Sequence, residues 1–512
     1  MEEYLSGVRQ AFTSHLSPSA LKALSSQLQQ DFHTKLKSSD ISFLPSFHHT
    51  LPTGSERGTF LALDVGGSNF RLALISLNTR SHPTEDAQTR VLHTLTFPIT
   101  ASVRTLRGHA FFTWMSQRIA EMLSSAPSIT ASFTASHPLQ MGLAWSFPIH
   151  STSQRSGYLL DMGKGFSATI GVQGQDLGDL IMRPCLEAGL PVHLATVVND
   201  GSASLLSQAY RQPTTRMSLI LGTGTNSSVY LPISALDKAK FGSRPEAWWR
   251  HAQRVCVNTE LSMHGRNVWP MTRWDRELDR AHERPGFQPF EHFVGGRYLG
   301  EIVRLVLVDA VAEVGLFDGI VPEGLEKAYG LDSGVLAALE AETGFEDAKR
   351  DFGHVAGLQR GLTRREAELV REVAALVSGR AAAYEAAAVH ALWEMRGRAE
   401  GTEKSRLANG ASDGAQQEGR VSGATGDGIC QLSRDELKVT IACNGSILDK
   451  YPGFRAKCQR YIDQLTSLSV EEMRKEGWDG EEGGRLVELS MARESSMFGA
   501  AVAAACCADE EG

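Results

Sequence analysis

Apolar positions near the amino terminus recur at helical spacing. Val8, Phe12 and Leu16 share one face, and Leu21, Leu24 and Leu28 repeat the interval. The spacing predicts two helices within the first forty residues, divided by Ser17-Pro18-Ser19, with Ser19 as the N-cap of the second. Pro45 and Pro52 predict an extended crossing segment. From Thr59 the period changes. Residues 60–65 form a short apolar run, Gly66-Gly67-Ser68-Asn69 follows, and residues 70–77 form a second run broken by Arg71 and Ser76. That pattern predicts strand, tight glycine turn, strand. Residues 140–147 and 194–198 read as buried strands ending in polar residues, and 205–210 as helix.

Residues 217–229 repeat the first hairpin. Leu219-Ile220-Leu221 leads into Gly222-Thr223-Gly224-Thr225-Asn226, and Val229-Tyr230-Leu231 follows. Aligning the turns matches Gly67 with Gly224, Ser68 with Thr225 and Asn69 with Asn226. The repeat is therefore domain-sized. It predicts two related domains, each offering one glycine turn to a shared cleft. Residues 290–395 predict mostly helix. Residues 401–427, rich in Gly, Ser, Ala, Gln and charge, predict a disordered surface insertion. Strand texture returns at 438–442, and the apolar, alanine-rich residues 497–507 predict a packed helix opened after Ser495-Ser496.

Composition narrows the partners. Of 512 residues, 42% are hydrophobic and 21% charged, ordinary for a globular chain long enough for two cores. The net charge of −8 carries no basic block, which argues against nucleic acid as a partner. Seven cysteines without a Cys-x-x-Cys pair point to free thiols in a reducing, cytoplasmic setting. The acidic start Met-Glu-Glu-Tyr lacks the order of a secretion signal, and no run of about 18 apolar residues predicts a membrane span.

Several short segments carry chemistry. In Asp64-Val65-Gly66-Gly67-Ser68-Asn69, the glycines let backbone N–H groups approach phosphate oxygens closely. Ser68 and Asn69 add donors, and Asp64 is placed to bind Mg²⁺ through water. Gly222, Thr223, Gly224 and Thr225 repeat the device. One such turn is equally what any hairpin carries; two with a shared core favour phosphate binding. In Val197-Val198-Asn199-Asp200-Gly201, a carboxylate at the mouth of a buried strand is placed to accept a proton from a sugar hydroxyl as a phosphoryl group arrives. The same residues also suit a strand end that caps the next helix. Ser146 and Lys164 offer polar contacts to a hydroxylated ligand, and Glu260 and Glu291 offer carboxylates for ring hydroxyls. The His and Cys spacings of a zinc site are absent.

Together and in order these segments resemble the eukaryotic hexokinase family. The resemblance covers roughly residues 51–307 and 439–504. It is carried by "FLALDVGGSNFR" (60–71), "WSFP" (145–148), "VVND" (197–200), "LGTGTN" (221–226), "CVNTE" (256–260) and "GGRYLGEIVRLVL" (295–307). It implies an α/β protein of the two-domain actin-like ATPase architecture. The expected small domain comprises residues 59–198 plus 495–512, and the large domain 1–58 plus 199–494. Asp200 is the expected general base. Ser146, Lys164, Asn199, Asn226, Glu260 and Glu291 are the expected sugar contacts. Expected nucleotide contacts are Asp64, Gly66, Gly67, Ser68, Asn69, Arg71, Gly222, Thr223, Gly224, Thr225, Asn444, Gly445 and Ser446.

The implied activity is ATP- and Mg²⁺-dependent phosphorylation of a hexose such as glucose, by a monomer or homodimer. The alternatives are an N-acetylglucosamine kinase and a catalytically impaired sugar-sensing regulator. Three departures from the family pattern motivate them. Gly163 stands where the family has threonine. Leu261-Ser262-Met263-His264-Gly265 replaces Trp-Gly-Ala-Phe-Gly. On the adenosine side, Ser495-Ser496-Met497 and Asn444-Gly445-Ser446 replace Gly-Ser-Gly and Asp-Gly-Ser.

Overall fold

The computed structural model describes residues 1–512 apart from 83, 164, 342, 359, 411–427, 481–482 and 511–512. The duplicated glycine hairpin seeds two sheets of the same plan. In the first, the strands run Thr89–Pro98, Asn69–Asn78, Arg57–Val65, Leu139–Trp145, Val192–Val198. The first three are antiparallel and the last three parallel. In the second, Arg254–Asn258, Ser228–Pro232 and Thr215–Leu221 are antiparallel, and Val439–Asn444 and Val487–Met491 continue in parallel. Leu44–Pro45 extends that sheet beyond Arg254–Asn258, and Thr225–Asn226 folds back on the end of Thr215–Leu221. The repeat legible around residues 67 and 224 is thus a repeat of whole sheets.

Both faces of the first sheet are covered, which is why its strands read as nearly unbroken apolar runs. Leu61, Leu63 and Val65 pack with Phe111, Phe112 and Ile181 on one face. Phe60 and Ala62 pack with Leu205, Phe498 and Ala500 on the other, as the two-residue period of a strand requires. The helix Ser495–Glu510 therefore lies against the first sheet and the helix Asp200–Arg211, although more than 280 residues separate those two helices in sequence. The second core is larger and surrounds the helix Arg364–Gly410, whose apolar surface meets the helices Pro18–Ser38 and Phe454–Lys475.

Three expectations change. Ser17, not Ser19, caps the second helix: its Oγ accepts from Ala20 N at 3.3 Å, and Pro18 takes the first helical position, where its missing N–H costs nothing. Leu16 falls beyond the first helix, Glu2–Thr13. Residues 401–410 are helical, forming the last turns of Arg364–Gly410. Their polar composition conceals an anchorage by ion pairs. Glu400, just before them, pairs with Arg254 at 2.7 Å and Arg396 at 2.5 Å, and Lys404 pairs with Glu436 at 2.9 Å. The rest of the expected insertion, 411–427, lies outside the described residues.

Register now places the chemistry. Val65 pairs with Trp145 and Ala144 with Val198, so three parallel strands end together. Gly66, Ser146 and Asn199-Asp200 follow those ends directly. The outer carboxyl edge of parallel strands is where α/β sheets bind ligands.

Candidate active site

Each residue at that edge is held by its neighbours. Ser146 N donates to Val65 O at 3.3 Å, which sets the serine beside the first glycine turn. Asn199 is the N-cap of the helix Asp200–Arg211, its Oδ1 accepting from Ser202 N at 2.6 Å. Asp200 occupies the first helical position and accepts from Gly201 N at 2.8 Å. A carboxylate there also meets the positive end of the helix. The start of this helix abuts the second sheet, with Ser202 Oγ 3.4 Å from Ser228 Oγ, just past the second glycine turn. The helix that Asp200 opens thus runs from the edge that carries the first turn to the sheet that carries the second.

On the opposite wall, Glu260 adopts a left-handed backbone, φ 50°. A relay fixes it: Asn226 Nδ2 donates to Asn258 Oδ1 at 2.9 Å, and Asn258 Nδ2 donates to Glu260 Oε1 at 2.6 Å. Burial pushes the Glu260 carboxyl above the usual range; the Asn258 bond opposes this, and the negative charge of Asp200 adds to it. The charge of Asp200 therefore reaches Glu260. Glu291 opens the single-turn helix Glu291–Val294, and its Oε2 accepts from Thr225 N at 3.1 Å. Asn258 was not singled out from the sequence, although it lies inside the Cys256–Glu260 segment, where Glu260 is the one charged residue.

The turns suit a triphosphate. In the first, Gly66 N donates to Asn69 O at 3.1 Å and Arg104 Nη2 donates to Gly67 O at 2.7 Å. In the second, the carbonyls of Gly222 and Thr223 accept from Gly296 N and Arg297 N at 2.8 and 3.1 Å, at the start of the helix Gly296–Val314. The carbonyls are thereby committed to protein donors. Among the described residues no acceptor takes the amides of Gly67, Ser68, Thr223 or Gly224. Unpaired N–H groups in two glycine turns make the donor set that phosphate oxygens require.

Asp64 is buried, and its Oδ2 accepts from Arg71 Nε at 2.9 Å. Burial raises the Asp64 carboxyl, with the Arg71 charge and bond opposing. Arg71 is therefore a partner of Asp64 as well as a candidate nucleotide contact.

The adenosine-side candidates also converge. Gly445 follows the strand Val439–Asn444, and Ser446 opens the helix Ser446–Lys450 beside the second glycine turn. Asn444 Nδ2 donates to Ser495 Oγ at 2.5 Å, and Ser204 Oγ donates to the same oxygen at 2.8 Å. The two altered segments are thus bonded to each other. The rebuilt wall after Glu260 is closely packed. Leu261 and Ser262 are buried, and His264 is wedged edge-on against Phe32 and Phe43, 3.2 Å from Asp31. Lys164 lies outside the described residues. No cluster of His, Cys, Asp or Glu suited to hold a metal occurs among the described residues.

Two sheets of one plan with a glycine turn each give the two-domain α/β architecture of the actin-like ATPase class. Family profiles described as Hexokinase match residues 8–210 and 216–506. The chain belongs to the hexokinase family. It is 27% identical over 508 residues to the Kluyveromyces lactis hexokinase, covering 98% of this chain and 91% of that one. It is 25% identical over 471 residues to Hexokinase-2 of Saccharomyces cerevisiae, covering 90% and 84%. The solved hexokinase of Schistosoma mansoni, complexed with glucose, shares the fold with a TM-score of 0.71 at 23% identity, covering 98% of this chain and 99% of that one.

Proposed function

We propose that this chain transfers the γ-phosphoryl group of MgATP to the 6-hydroxyl of a hexose such as glucose, the step by which sugar enters glycolysis. The observation that carries the reading is that three parallel strands end together, which sets Gly66, Ser146 and Asp200 along one sheet edge, while Ser202 of the helix that Asp200 opens lies against Ser228, past the second turn. Asp200 accepts the proton of the attacking hydroxyl. Glu260 and Glu291, with Ser146, Lys164, Asn199 and Asn226, hold the ring hydroxyls so that this oxygen meets its target in line. The amides of Gly67, Ser68, Thr223 and Gly224 cradle phosphate oxygens, with Gly66, Asn69, Arg71, Gly222 and Thr225 shaping the turns and Asn444, Gly445 and Ser446 beside the nucleoside. Asp64, buried with Arg71, would hold the cation through water. When bound, MgATP supplies the electrophilic phosphoryl group and the metal charge that offsets its oxygens.

Residues 59–198 with 495–512 form the small domain in this reading, and 1–58 with 199–494 the large one. The packing of the helix Ser495–Glu510 on the first sheet supports that division. Closure of the two on sugar would exclude water and favour transfer to the sugar over hydrolysis. A cytoplasmic monomer or homodimer completes the reading; among the described residues no helix is long and apolar enough to cross a membrane.

The test is turnover with MgATP on glucose, mannose, fructose and N-acetylglucosamine side by side. Glucose turnover well above that of the acetamido sugar is expected. The reverse order would make the chain an N-acetylglucosamine kinase. Sugar binding by calorimetry without nucleotide binding or turnover would make it a regulator.

A further inference from the structure

Behind the second glycine turn lies a carboxyl that the proposed chemistry does not use. Glu385, midway along the helix Arg364–Gly410, is fully buried. Its two oxygens sit 3.5 and 3.3 Å from Thr225 Oγ1, which donates to them. Thr225 is the pivot of the turn, because its amide donates to Glu291 Oε2 and the next residue, Asn226, starts the relay to Glu260. One residue is therefore gripped from the cleft by Glu291 and from the core by Glu385.

Arg455, a cation that reaches the neighbouring Cys443, is not among the groups acting on Glu385. Among the described residues no cationic side chain pairs with it. The titratable groups that feel it are Cys443, on the strand Val439–Asn444, and Cys458, on the helix Phe454–Lys475. Both are thiols driven upward by burial, and so neutral. On its own helix, the Arg380 guanidinium is committed to Asp275, and His390 lies between Ser25 and Ser469. On the turn side, Thr225 also donates its amide to Glu291, a group of like sign. Burial accordingly pushes the Glu385 carboxyl up to about 8, against the opposing pull of the Thr225 hydroxyl.

We propose that Glu385 is a positioning residue for the phosphate-holding turn: its neutral carboxyl seats Thr225, and a negative charge in its place weakens the hold of residues 222–226 on phosphoryl oxygens. The electrostatics act in one direction. A carboxylate behind the turn opposes the anion that the Thr223 and Gly224 amides attract, in surroundings too dry to screen it. The Thr225 hydroxyl still donates to the ionised carboxyl, so the effect on the turn is carried by the charge and not by loss of that bond.

The inference rests on the phosphotransferase reading, and the experiment separates the two. The pH dependence of kcat/KM for MgATP is measured at saturating sugar for the native chain and for Glu385→Gln, whose amide oxygen still accepts from Thr225. The native enzyme is expected to lose about tenfold per pH unit above about pH 8, chiefly through KM for MgATP. Glu385→Gln is expected to lose that alkaline limb while keeping comparable turnover at neutral pH. Glu385→Met serves if the amide variant does not fold. A variant that folds, turns over and keeps the native limb overturns the inference alone. Absence of turnover on every hexose at every pH overturns the reading beneath it. Infrared spectroscopy of the native chain needs neither a variant nor activity: a protonated carboxylic acid C=O band should vanish as pH rises through about 8, and its failure to do so overturns the inference.

Discussion

The Glu291 carboxylate fills the space that a side chain at Gly224 would need. A Cβ on residue 224 would lie 2.7 Å from Glu291 Cδ, closer than real Cβ atoms come to any neighbour. The glycine thus makes room for the Glu291 carboxylate as well as forming the turn. Gly224→Ala is expected to displace Glu291 and lower kcat/KM for the sugar by about 10- to 100-fold, the range of a lost hydrogen bond to a charged group. Steady-state kinetics with varied sugar check this, with urea unfolding to show that the fold persists.

Asp200→Ala is expected to lower kcat by about 10²-fold or more, while sugar still binds. Single-turnover measurement of phosphoryl transfer, paired with sugar titration by calorimetry, separates the two effects. Near-normal turnover would remove Asp200 from the role of base.

The coupling across the cleft has its own signature. Burial raises the Glu260 carboxyl, and the Asp200 charge raises it further. Asp200→Asn deletes that charge, so Glu260 ionises at lower pH. If the ionised form accepts the sugar hydroxyls, the acid limb of sugar affinity moves to lower pH in the variant. Calorimetric titration with glucose from pH 4 to 7 measures the direction; an upward shift would contradict the placement.

Asp275 and Arg380 form a buried bidentate pair at 2.6 and 2.8 Å. Burial raises the Asp275 carboxyl, but the Arg380 charge and bonds, with help from Thr272, outweigh it and hold the group below the usual range. A depressed carboxylate contributes stability fully above its unfolded value, about 3.9, and loses it as pH falls through the folded value. Asp275→Asn is expected to cost about 3–5 kcal/mol by leaving Arg380 uncompensated. Urea unfolding at pH 7 checks the cost, and repetition at pH 3 should show a smaller difference between native and variant.

Packing at the C-terminal helix is equally specific. A Cβ on Gly499 would lie 2.6 Å from Ala203 Cα, on the neighbouring helix Asp200–Arg211. The alanine-rich texture of residues 497–507 exists so that two backbones can meet. Gly499→Val is expected to destabilise the fold by about 1–3 kcal/mol, read from thermal unfolding. It should also lower turnover, since the displaced helix carries Asp200.

Local pattern and tertiary contact divide the information unevenly. The hairpins around Gly67 and Gly224, the strand end at Val198 and the helix that follows were legible because apolar period and glycine placement are local properties. So was the kinship of the two halves, which the matching strand orders extend to whole sheets. The cap at Ser17 was missed by two residues, since either serine satisfies the local rule and only the hydrogen bond chooses. The helical state of residues 401–410 was missed because Arg254 and Glu436, the partners that anchor that end of the helix, come from distant segments.

By itself the sequence determined the repeat, the glycine turns and the candidate carboxylates, since each depends on residues adjacent in the chain. Only the tertiary structure decided that the Asp200 charge reaches Glu260, that Asn258 carries the relay between Asn226 and Glu260, and that Glu385 lies behind Thr225. The physical reason is that charge coupling and hydrogen bonding act over a few ångströms of space, whatever the separation along the chain.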